Sequence, residues 1–134
     1  MPENSVEFIV EAAMALFAER GADDVSLSEI ARSANVSQGL IIYHFKSKSN
    51  LLFIVTRTVY SKFLRESMMA MSLANNPLTA IHAFIDTFFK LANNNRNWPK
   101  FLARCDPFLR LDLTKCPNFD LIFLRNYINH LLSY

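Results

Sequence analysis

The residues best equipped for chemistry stand close together in Ser37 to Lys48, SQGLIIYHFKSK. They are donors, acceptors and aromatic rings, with no Ser in a recognisable nucleophile motif. If the stretch is helical, the amides around Ser37, Gln38 and Gly39 are donors at a positive helix end. Gln38 can bond an adenine edge or a phosphate, Tyr43 can pack on a thymine methyl or donate to phosphate, and Leu40 can touch thymine methyls. Gly39 lacks a side chain, so the backbone there can come close to a sugar-phosphate strand. Lys46 and Lys48 flank the group. This is equipment for contacting nucleic acid.

Placing those groups requires a helix with one buried and one presented face. With Ile41 towards a core, Phe45 lies within roughly 40° of it on a helical wheel. Gly39 and Tyr43 then fall on the opposite side, with Leu40 and Ile42 on the flanks. A solvated helix back is normally rich in Lys and Glu. This one has no charge, so it should have a partner. Upstream, Ser26-Leu27-Ser28-Glu29 is a capping box opening a helix with Leu27, Ile30, Ala31 and Ala34 on one side. Asn35 tolerates the left-handed conformation that ends it, and Ser37 caps the next helix. Two short helices joined by a tight turn make a helix-turn-helix. Before them, Ser5 to Arg20 places Phe8, Ile9, Ala12, Ala13, Leu16 and Phe17 at helical spacing, with Asn4 or Ser5 as cap and Gly21 as the stop.

Composition fits this scheme. The chain has 134 residues, is 51% hydrophobic and has only two glycines, Gly21 and Gly39, which predicts an all-α fold. Net charge is +2. In residues 1–50 the acids Glu3, Glu7, Glu11, Glu19, Asp23, Asp24 and Glu29 outnumber Arg20, Arg32, Lys46 and Lys48. DNA contact must therefore rest on local placement of a few donors rather than on a bulk basic field. Cys105 and Cys116 form no CxxC pair and read as reduced thiols of a cytoplasmic protein. The N-terminal residues lack the basic start of a signal peptide. The longest uncharged run, Ser67 to Ile85, is broken by Asn75-Asn76-Pro77, so no membrane span is expected. No His/Asp/Glu set has metal-ligand spacing and no Ser or Cys sits in a recognisable nucleophile motif, so neither metal, cofactor nor enzymatic activity is expected.

Further along, Leu51, Leu52, Val55, Val59 and Phe63 predict a long helix to about Ser72, and Ile81, Phe84, Ile85, Phe88 and Phe89 another over about 78–92. Asn93 to Asn97 reads as a loop. Pro99, Pro107 and Pro117 each suit a first helical turn, predicting helices near 98–105, 107–113 and 118–132. Phe84, Phe88, Phe89, Trp98, Phe101 and Phe108 are candidates to line a pocket for an apolar or aromatic ligand, although aromatics at helical spacing are more often core.

Over residues 5–55 the pattern AAMALFAERGADDVSLSEIARSANVSQGLIIYHFKSKSNLL resembles the N-terminal domain of TetR-family transcriptional regulators. The match runs in order through the Ala-Leu-Phe run, Gly21, Ser26, Ile30-Ala31, Ala34 to Ser37, Gly39, Tyr43 to Phe45, Lys48 and Leu51. The resemblance implies a three-helix helix-turn-helix domain over residues 1–50 and a helical ligand-binding and dimerisation domain over 51–134. It implies a cytoplasmic homodimer on double-stranded DNA, at a palindromic operator, released when a small-molecule effector enters the second domain. It puts Ser26, Ser37, Gln38, Gly39, Tyr43, His44 and Lys48 at DNA-contacting positions, beside Leu40. Two residues depart from the family pattern: Asn35 replaces the usual turn glycine, and Ile42 replaces a common tyrosine, shifting weight to Tyr43 and His44. The second domain is shorter than the family's usual one, so it is expected to be truncated, without the final helices that normally pair subunits. The other function compatible with these residues is a helical ligand-binding or interaction module without operator binding.

Overall fold

The computed structural model describes residues 4–105, and among these the only regular elements are helices. The elements are α1 (Ser5–Arg20), α2 (Leu27–Ala34), α3 (Gln38–Phe45), α4 (Lys48–Ser72), α5 (Pro77–Asn94) and α6 (Asn97–Arg104). The expected helices near 107–113 and 118–132, with Phe108 and Cys116, lie outside the described residues. No described helix is long and apolar enough to cross a membrane.

Local chemistry sets most boundaries. Ser26, Ser37, Ser47 and Asn76 each adopt extended backbone and accept an amide of the following first turn. Asn76 and Thr79 form a second capping box, with Pro77 at the first helical position. Asn35 ends α2 at φ 55° and ψ 45°, the left-handed conformation expected of it. Asn4 precedes α1 without a side-chain cap bond. The loop expected at 93–97 shrinks, because α5 continues through Asn94 and α6 begins at Asn97.

One buried cluster joins the helices. Ile9, Ala13 and Phe17 of α1 meet Ile30 of α2, Ile41 and Phe45 of α3, Leu51, Val55 and Val59 of α4, and Trp98 and Phe101 of α6. α1 packs on α2, α4 and α6, while α4 also lies along α5. Phe8 departs from the expected apolar stripe, being 55% exposed. The sequence of α1 holds two overlapping stripes, and at about 100° per residue the buried one, Ile9-Ala13-Phe17, leaves Phe8 on the far side. α5 divides similarly: Ala80, Thr87 and Leu91 are buried, whereas Ile81, Ile85 and Phe89 are exposed.

Candidate nucleic-acid interface

α3 presents the face its sequence predicts. Ile41 and Phe45 are buried, at 0% and 4% exposure, while Tyr43 is 70% and Ile42 45% exposed. Gln38, Gly39 and His44 are exposed and Leu40 is half-buried against the core. With its side chains an α-helix is about 10–12 Å across, which a DNA major groove about 12 Å wide admits. Around Gly39 the space is open: a Cβ placed there would have only the Ser37 Oγ, 3.9 Å away, as a neighbour. The fold therefore does not require glycine at this helical position, where glycine costs up to about 1 kcal/mol relative to alanine. A surface that a partner's backbone approaches closely would require it.

Two short loops fix this helix. Leu40 N donates to the Ser37 hydroxyl at 3.1 Å, leaving the Gln38 and Gly39 amides without a partner among the described residues. At the other end Lys46 takes φ 70° and ψ −44°, and Ser47 N donates to the Phe45 carbonyl at 2.9 Å. That is a γ-turn in the strained, positive-φ form. Asn50 Nδ2 also donates to the Phe45 carbonyl, at 2.7 Å, and holds α4 against the turn. The turn carries the Lys46 ammonium to 5.6 Å from the Tyr43 ring centroid, and the His44 ring meets Tyr43 edge-on at 5.1 Å. Sequence reasoning saw Lys46 only as a flanking charge, because a strained φ in a non-glycine residue leaves no pattern. Lys46→Gly is expected to stabilise the chain by about 1 kcal/mol, the released strain outweighing glycine's extra freedom when unfolded. A higher urea midpoint checks this.

The remaining candidates are engaged in the scaffold. The Ser26 hydroxyl accepts Glu29 N at 3.2 Å and donates to Glu29 Oε2 at 3.1 Å, while Ser26 N donates to Oε2 at 2.9 Å. Arg20, at the end of α1, adds an ion pair to Glu29 Oε1 at 2.7 Å, a link that nine residues of separation hide from any periodicity. The Ser26 amide, then Arg20, then the Ser26 hydroxyl hold the Glu29 carboxyl down at about 2. A depressed carboxyl stabilises the fold above its unfolded value, and the contribution is lost as pH falls through the folded one. Glu29→Gln should therefore melt below wild type above about pH 5, the gap closing towards about pH 2. Thermal melts across that range check it, and a constant gap would contradict it. Lys48, expected as a phosphate anchor, donates to the Val25 carbonyl at 3.1 Å and ties the start of α4 to the loop before α2. That bond fixes the stem and leaves two ammonium protons for a further acceptor.

The pocket aromatics divide. Phe63, Phe84, Phe88 and Trp98 pack on one another, with Phe63–Phe84 centroids 5.0 Å and Phe88–Trp98 centroids 5.1 Å apart. Phe101 is fully buried, whereas Phe89 is 62% exposed.

Known proteins share both pattern and shape. Residues 9–55 match the protein-family model described as "Bacterial regulatory proteins, tetR family". The HTH-type transcriptional regulator BetI of Rhizobium meliloti (strain 1021) is 34% identical over 82 residues, which cover 61% of this chain and 40% of that protein. The biofilm operon icaADBC HTH-type negative transcriptional regulator IcaR of Staphylococcus aureus (strain Newman) is 29% identical over 80 residues, covering 60% of this chain and 43% of that protein. The chain thus spans about two fifths of the length of these relatives. The TetR family transcriptional regulator PfmR from Thermus thermophilus has the same fold, with a TM-score of 0.72 at 20% identity over 93% of this chain and 66% of that one.

Proposed function

We propose that this chain, whose residues 9–55 are a tetR-family helix-turn-helix domain, is a repressor that binds a palindromic operator as a cytoplasmic homodimer and is released by a small-molecule ligand. Residues 1–50 dock on DNA, and residues 51–134 bind the effector and pair the subunits. The observation that carries the docking is the face of α3: exposed, uncharged, aromatic at Tyr43 and open at Gly39. Gln38, Leu40 and Tyr43 meet base edges, Gly39 lets the α3 backbone close on a sugar-phosphate strand, and Ser37, His44 and Lys48 sit beside phosphates. Ser26 anchors through its cap. A repressor's role is supported by IcaR, which is named a negative regulator.

One copy of α3 offers too few base contacts for operator specificity, and two copies a helical turn apart offer enough. Affinity should fall linearly with log salt, because phosphate contacts release counterions. Fluorescence anisotropy on DNA from upstream of the chain's own gene tests the reading. Tyr43→Ala is expected to weaken specific binding by about 1–3 kcal/mol while unfolding at the wild-type urea midpoint. Lys48→Ala should lower the salt slope by about one, a phosphate contact being lost. Binding that is blind to Tyr43, or a chain with no DNA affinity at low salt, would sink it.

A further inference from the structure

We propose that Lys46 is a positioning residue for sequence reading: its ammonium holds the Tyr43 ring in the pose that meets a base edge, so it acts through Tyr43 rather than on a phosphate. This rests on the operator-binding reading and adds a part to it. The starting point is a residue type that does not suit its backbone. Lys46 takes φ 70° and ψ −44°, a conformation that glycine adopts freely and that strains other residues. The turn itself is closed by the backbone and Asn50. Lys46 N donates to the Ile42 carbonyl at 3.0 Å, and Ser47 N and Asn50 Nδ2 donate to the Phe45 carbonyl at 2.9 and 2.7 Å. A glycine would close it with less strain. Lys46 is exposed, and its ammonium makes no hydrogen bond or ion pair among the described residues. What it does reach is Tyr43, at 5.6 Å from the ring centroid and within the range of a cation–π contact.

Tyr43 is a side chain that gains from being held. It is 70% exposed, so the core does not fix it. A long side chain on a helix still has two staggered wells about its first torsion. A ring that settles into one of them only on DNA loses freedom as it binds. Here the His44 ring stands edge-on at 5.1 Å and the Lys46 ammonium lies over the ring, so two neighbours restrict it before DNA arrives. An exposed cation–π contact favours one pose by about two- to fivefold, and that preference reappears as affinity for the sequence the ring reads. The two lysines then divide the work. Lys48, its stem fixed on the Val25 carbonyl, faces phosphate, and Lys46 faces the ring.

The pair is tested first in the free chain by NMR. The Lys46 methylene protons next to the ammonium are expected upfield of those of other exposed lysines, from the ring current of Tyr43, and the shift should vanish in Tyr43→Leu. An unshifted signal would overturn the inference without any DNA measurement. The second arm is anisotropy on two duplexes, one selected by the wild-type chain from a random-sequence pool and one a scramble of the same composition. Lys46→Met keeps the strained turn and the apolar stem but removes the charge. It should weaken the selected duplex about threefold more than the scramble, while Lys46→Arg keeps the wild-type ratio. In a Tyr43→Leu chain that extra loss should disappear, because the lysine acts through the ring. Equal loss on both duplexes with a salt slope lower by about one would make Lys46 a plain phosphate contact and overturn the assignment. An extra loss that persists without Tyr43 would overturn it too. Selectivity lost in Tyr43→Leu but kept in Lys46→Met overturns this inference alone. A wild-type chain that selects no duplex from the pool overturns the operator reading and this inference with it.

Discussion

Gly39→Glu is expected to weaken DNA binding at least about a hundredfold while leaving the folded chain as stable as wild type or more so, because like charges brought together cost several kcal/mol in a contact. The two halves of this result come from different properties of one position. In the free chain the substitution is easy. Gly39 has an ordinary helical backbone, and the space around its missing Cβ is open. Replacing glycine removes a helix-breaking residue, and a carboxylate in the first turn suits the helix dipole. On DNA the substitution is costly. In the proposed dock the same carboxylate would stand where the α3 backbone meets the sugar-phosphate strand, among amides that would otherwise donate to it. Gly39→Ala separates the steric part from the charge: it should also stabilise the chain and weaken binding, but by about tenfold, since only close approach is lost. Urea midpoints and anisotropy on one preparation measure both. A Gly39→Glu chain that binds like wild type would place the DNA elsewhere. One that loses stability would mean the position matters to the fold, contrary to its open surroundings.

The exposed face of α3 was legible in the sequence because its signals are local. Ser26 with Glu29, Asn35, Ser37 and Ser47 set the ends of α2, α3 and α4 within one turn of themselves, and the structure places all of them where the residue types require. The α3 wheel needed only the period of a helix and the identity of Ile41. What escaped depends on partners distant in sequence. Phe8 sits at helical spacing with the core of α1, yet is turned out because α2, α4 and α6 cover the neighbouring stripe. Lys48 matches a phosphate anchor by type, but the carbonyl of Val25, twenty-three residues earlier, accepts a hydrogen bond from it. The γ-turn at Lys46 is strained, and strain is held by surrounding contacts such as Asn50 on Phe45 rather than chosen by the residue. Phe84, Phe88, Trp98 and Phe101 are pocket candidates on their chemistry alone. Whether rings pack on each other or line a space depends on how α4, α5 and α6 meet.

Phe17→Ala is expected to remove about 3–5 kcal/mol of stability, a large part of the roughly 5–15 typical of folded domains. Phe17 is fully buried in α1, which packs on α2, α4 and α6. Its carbonyl accepts Gly21 N at 2.8 Å and the Cys105 thiol at 3.6 Å, so the end of α1 and the end of α6 both close on it. Truncating the ring leaves a cavity where these helices converge, and close-packed neighbours fill it only partly. Because the cluster runs from Ile9 to Cys105, the loss should not stay in the DNA-docking half. Urea unfolding followed by circular dichroism and by Trp98 emission should shift together. Trp98 lies in α6, its indole N–H bonded to the Val59 carbonyl at 3.4 Å, and it reports the part of the cluster away from α3. A shift in helicity with an unmoved Trp98 transition would show two cores that unfold separately. If they move as one, the docking face is held by the whole described chain. Phe17→Ala should then bind DNA with near wild-type affinity at any temperature where it remains folded, whereas Gly39→Glu fails while folded. That difference separates residues that hold α3 in place from residues that meet its partner.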